Sequence, residues 1–121
     1  MKQKIEKLNT YFAVQIQECD DRRELLLADD RRDEANFEKI RANVFDIFRT
    51  ILSVAEKTGK DEAAVKQFFL LRAEQIPASW KASLENAQKH EDIVKAEIEK
   101  IKLKAKDEII DMFIKIWEEK Q

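Results

Sequence analysis

Apolar residues recur at intervals of three and four along almost the whole chain. Ile5, Leu8, Phe12, Ile16, Cys19, Arg23 and Leu26 mark the inner face of a first helix. A second follows through Phe37, Ile40, Val44, Phe48, Ile51 and Ala55, widened by Phe45, Ile47, Leu52 and Val54. That face is broad enough to pack against two partners. It ends at Thr58-Gly59, where glycine can adopt a left-handed C-cap conformation without steric cost. Asp61 and Glu62 then favour the start of a third helix through its dipole. Val65, Phe68, Phe69, Leu70, Leu71, Ala73 and Ile76 wrap more than one face of it, as expected of a helix wedged among others. Pro77 is expected to end it, because the residue before a proline is driven out of the α region. The same proline suits the first turn of the next helix.

The last stripe is the longest. Trp80, Leu84, Ala87, His90, Val94, Ile98, Ile101, Ala105, Ile109, Met112 and Ile116 follow a period of about 3.6, with no Gly or Pro among them. This predicts one helix from Trp80 to Trp117, roughly 55 Å long at ~1.5 Å per residue. The fold expected is all-α: a single domain over residues 1–121, a helical bundle of about four helices, the C-terminal helix much the longest. Composition agrees. Charged residues make up 40 % of the chain, against a usual ~25 %, and a single Gly and Pro leave little turn chemistry for strands.

Between Glu18 and Glu38 the pattern changes. Asp20-Asp21-Arg22-Arg23-Glu24 and Asp29-Asp30-Arg31-Arg32-Asp33-Glu34 fall there, and with Glu18 and Glu38 the segment holds nine acids and four arginines. The apolar stripe lapses there, which favours a turn near Ala28–Arg32 with Asp29 or Asp30 as the N-cap of the second helix.

Net charge of −2 argues against a nucleic-acid or anionic-membrane binder. Lys100, Lys102, Lys104 and Lys106 alternate, which on a helix spreads them around the circumference among Glu97, Glu99, Asp107 and Glu108. No apolar run exceeds four residues, so neither a transmembrane span nor a signal peptide is expected. The lone Cys19 lies on the inner stripe and reads as a buried structural thiol; a reducing cytoplasm is the expected location.

Two constellations bear on function. Asp20, Asp21, Glu24, Asp33, Glu34 and Glu38 approach one another if the first two helices are antiparallel. Clustered carboxylates on facing helices would suit Mg²⁺ and a phosphate substrate, as in an all-α nucleotide pyrophosphatase. Four arginines sit among them, however, and can neutralise them in place. A ferritin-like dimetal site needs Glu-x-x-His, and the only histidine, His90, has Ala87 three residues before it. The second constellation is apolar: Ile109, Ile110, Phe113, Ile114 and Trp117 crowd the C-terminal end and take up most of a helix circumference. If the long helix outruns its neighbours, a homodimer through this patch covers it. The function expected is a non-enzymatic interaction or structural module that self-associates, with no cofactor. The alternatives are a metal-dependent hydrolase at the acidic cluster and a transcription regulator or its partner.

Overall fold

The computed structural model describes residues 1–119 and is all-helical over them. The helices are α1 (Lys2–Ala28), α2 (Arg32–Thr58), α3 (Glu62–Gln75), α4 (Ala78–Lys89) and α5 (Ile93–Trp117). None of them is long and apolar enough to cross a membrane.

α1 and α2 form an antiparallel hairpin, and α2 is the hub, touching α1, α3 and α5. The N-terminal end of α1, the start of α3 and the end of α5 meet, with Lys4 Nζ donating to the Trp117 carbonyl at 2.5 Å and to Glu62 at 3.2 Å. Here Ile5, Leu8, Phe12, Phe45, Phe48, Leu52, Val65, Phe69, Ile109 and Phe113 form the core. Phe113 stacks between Phe69 at 4.0 Å and Trp117 at 5.1 Å, and the Trp117 indole N–H donates to the Glu62 carbonyl at 3.0 Å. This end is called the base; the α1–α2 and α4–α5 turns lie at the opposite end, the tip.

The bundle of about four helices stands if α3 and α4 count as one bent unit. Ile76 stays in the α region (φ −64°, ψ −46°) despite the proline after it, and Pro77 follows in the same region. The expected break is therefore only a bend. The uninterrupted helix from Trp80 to Trp117, by contrast, is not there. The chain turns at His90–Asp92, so α5 has 25 residues, against 27 each in α1 and α2, and the C-terminal helix is not the longest. A stripe of period 3.6 is met equally well by two helices folded on each other. In the hairpin, α4 packs on α5 and Ala87 is buried; Lys102 lies over the Trp80 ring at 5.6 Å while pairing with buried Glu99 at 3.2 Å. His90, expected on the core stripe, sits exposed in the turn with Nδ1 2.9 Å from the Asn86 carbonyl.

The two tip turns are built alike, without glycine. At the first, Asp30 N–H donates to the Leu27 carbonyl (3.1 Å) and Arg31 N–H to that of Leu26 (2.8 Å). At the second, Glu91 donates to Gln88 (3.2 Å) and Asp92 to Ala87 (2.8 Å). These crossed bonds satisfy the last carbonyls of α1 and α4, but they need a left-handed residue after each helix, and Asp30 and Glu91 both have φ 56°. Aspartate tolerates that region better than glutamate does. Asp30 therefore ends α1 and caps nothing; the N-cap of α2 is Arg31, without a side-chain bond, and Asp33 and Glu34 stand in the first turn. Asp92 does cap α5, accepting from Lys95 N–H at 3.1 Å, and Asp61 caps α3 through Ala64 N–H at 2.8 Å.

Gly59 is extended (φ −84°, ψ 130°), not left-handed. It is small for another reason: a Cβ there would lie 2.7 Å from Val65 Cγ2 and 2.9 Å from the Ala55 carbonyl oxygen.

Candidate functional site

At the base α1 and α5 pack against each other across α2; toward the tip they part, leaving a trench with α2 as its floor. Tyr11, Gln15, Arg22, Leu25 and Leu26 of α1 line one side. Ile101, Lys104, Glu108 and Met112 of α5 line the other, over Phe37, Glu38 and Arg41. The helical spacing that builds α2 puts Phe37, Arg41 and Phe45 one turn apart on the same face, and the Arg41 guanidinium lies 4.9 Å from the Phe45 ring centre.

Both arginines of the trench are paired with carboxylates, while the second oxygen of Glu38, Oε2, is buried without a hydrogen-bond partner among the described residues. Arg41 bonds Glu108 at 2.9 Å and reaches Gln15 at 3.5 Å, bridging all three helices. Arg22 Nε donates to Glu38 at 3.1 Å and its terminal nitrogen lies 3.6 Å from Cys19 Sγ. The hydrogen bond to Glu38 raises the Arg22 pKa further above its ordinary value, though burial works against it. Burial pushes the Cys19 thiol up; Glu38 adds to the rise while Arg41 and Arg22 oppose it. The thiol is buried as expected, and its raised pKa disfavours the thiolate. Tyr11 is held protonated up to about 12, by burial first and then by Glu108, with Arg41 opposing. The trench thus holds two arginine–carboxylate pairs beside a thiol and a phenol that burial keeps protonated.

Apolar surface runs alongside. Leu25 is 72 % exposed, Leu26, Phe37 and Ile101 are half-buried, and Val94, two turns before Ile101 on α5, is 65 % exposed. Ile47 and Val54, expected on the inner face of α2, also point outward; α2 has partners on only part of its circumference there.

The carboxylates considered for a metal are scattered. Glu38 lies in the trench on Arg22, while Glu34 pairs with Arg31 at the tip turn. Asp21 accepts from Gln17 at 2.9 Å on the outer side of α1; Glu24 and Asp33 are exposed and Asp20 is half-buried. Among the described residues no three acidic, histidine or cysteine side chains come together to hold a metal ion. The arginines do what their spacing suggested, since Arg31 also meets Asp29 and Arg32 meets Asp30.

The C-terminal apolar patch requires a correction. Ile109, Phe113 and Trp117 are buried inside the chain, and Ile110 and Ile114 are half-buried against the same core. The dimer reading assumed a helix outrunning its partners. α5 is one turn-and-hairpin shorter than that, and α1 and α3 reach its end. Ile109, Phe113 and Trp117 are therefore part of the chain's own core.

Comparison with protein-family models, with characterised proteins and with solved structures finds no match for this chain. The sequence had no local signal for the trench, because Arg22–Glu38 and Arg41–Glu108 each join different helices. The one available hint was Arg41 itself, a cation set among Phe37, Phe45 and Phe48.

Proposed function

We propose that this chain is a non-enzymatic helical interaction module whose partner lies in the trench between α1 and α5. One observation carries the reading: large apolar side chains, led by Leu25 at 72 % exposure, border a trench whose two arginines are each paired with a carboxylate. Exposed apolar groups gathered along one cleft mark contact surfaces, whereas scattered ones do not. Catalysis would need the opposite arrangement, with polar groups left free to reach a substrate.

The test is a photo-reactive benzophenone side chain installed at Leu25 and irradiated in cells that make the protein. Crosslinking to a protein chain is expected from position 25. It should be absent from Gln67, an exposed site on α3. Leu25→Asp in a chain carrying the probe at Ile101 should abolish capture without changing the melting temperature. No crosslink from either trench position would sink the reading.

A further inference from the structure

We propose that α4 is a strap that opens from α5 by itself, melting while the rest of the bundle stays folded. The strap lies on a different flank of α5 from the trench, so its opening does not depend on what fills the trench. A buried carboxylate in the seam beneath it sets the opening.

Ala96, Glu99 and Lys102 follow at intervals of three on α5, one above another, and Lys102 lies over the Trp80 ring of α4 at 5.6 Å. This flank of α5 therefore faces α4. A seam between two helices ordinarily closes with apolar side chains; here a charge takes the central place. Glu99 is 5 % exposed, its Oε1 accepts from Lys102 at 3.2 Å, and its Oε2 has no hydrogen-bond partner among the described residues. A buried oxygen without a donor has lost its water and gained nothing in return. When α4 leaves, that oxygen is hydrated again, so the charge favours the open form.

Little on α4 opposes it. Ala87 is the one buried residue of that helix, and Trp80, Ser83 and Leu84 are half-buried. Its two ends are weak as well. Pro77 has no N–H to give the helical ladder, and the turn after α4 rests on Glu91 at φ 56°, a region L side chains seldom hold. The neighbours are fixed elsewhere: α3 by Val65, Phe69 and Ala73, and α5 by Ala105, Ile109 and Phe113, all buried. With 12 residues, α4 is too short to persist as a helix off its support, so it melts as it leaves. The freed chain then stays joined to both α3 and α5. Opening bares Trp80, Leu84, Ala87 and Ala96, an apolar strip that the closed bundle keeps largely covered.

Native-state hydrogen exchange on the full chain tests this amide by amide. Amides from Ala82 to Lys89 should exchange at least about a hundredfold faster than those from Phe45 to Leu52, because they need only the local opening. Glu99→Met, uncharged and of similar length, should slow the α4 amides about tenfold. Ile5→Val, in the base core, should speed the α2 amides about fivefold and leave those of α4 unchanged, since the open form keeps the base intact. Amides of α4 that exchange as slowly as those of α2, or that speed up with them in Ile5→Val, overturn the strap. Amides of α4 that Glu99→Met fails to slow overturn the part given to the buried carboxylate.

Discussion

The base and the tip of this bundle are made by the same helices, yet only one of them is a core. At the base Phe12, Phe45, Phe48, Phe69 and Phe113 are fully buried, with Leu8, Leu52 and Ile109 among them. At the tip the buried apolar residues are small, Cys19, Ala35, Ala87 and Ala96, beside the buried carboxylate of Glu99, and Leu25, Ile93 and Val94 face solvent. Four helical units surround one another at the base; toward the tip α1 and α5 separate and α4 packs on α5. Burial of aromatic area therefore holds the fold at one end. The other end is held by helix continuity, ion pairs and two tight turns, and is free to present apolar surface. A helix can be rigid along its length without being buried along its length.

The largest test of this contrast is Phe113→Ala. Removing a ring stacked on both faces should destabilise by about 3–5 kcal/mol, read from the urea midpoint. A loss under about 1 kcal/mol would mean the base is not the core. Alkaline titration probes the boundary between the halves. Tyr11 is the only tyrosine, so absorbance near 295 nm reports it alone, and it should ionise near 12, well above its ordinary 10.0. The folded chain holds this proton more tightly than the unfolded chain. The stability it confers is thus intact below 10 and is lost as pH rises from 10 toward 12. Ionisation at the ordinary value would show the Tyr11–Arg41–Glu108 region to be open.

At the tip the effects should be smaller and can change sign. Glu91→Gly relieves a left-handed backbone at a solvent-exposed turn and should stabilise by about 0.5–1 kcal/mol, a gain seen as a higher melting temperature. A loss would mean that the turn does not hold the left-handed geometry. Leu25→Asp should change stability by no more than about 0.5 kcal/mol, since its side chain gives up little burial. If it unfolds the chain as Phe113→Ala does, tip and base are one cooperative core.

How much of this was readable beforehand follows the same division. Ile5, Leu8, Phe12, Phe48, Val65 and Phe69 are read correctly as inner positions, because burial at the base obeys helical period and hydrophobicity alone. The fold class follows from them. The turn at His90–Asp92 was not legible: it has no glycine or proline, and its left-handed residue is a glutamate that local preference would place in a helix. Once that turn is missed, α5 becomes too long and Ile109, Phe113 and Trp117 look exposed. The trench was hidden for a different reason. Whether Phe37 or Ile101 is covered depends on how far α1 stands from α5, a distance set by the bulk of the base core and not by any neighbour in sequence.

The chain also carries its own optical readout. Its two tryptophans fall one in each region: Trp117 is buried at the base, stacked on Phe113, and Trp80 is half-buried beneath Lys102 where α4 rests on α5. Trp80→Phe and Trp117→Phe would leave a single fluorophore reporting each end. Emission from Trp117 should be blue-shifted and shielded from acrylamide, while that from Trp80 should be redder and more readily quenched. Departure of α4 from α5 would then register as a change of colour before the base has unfolded.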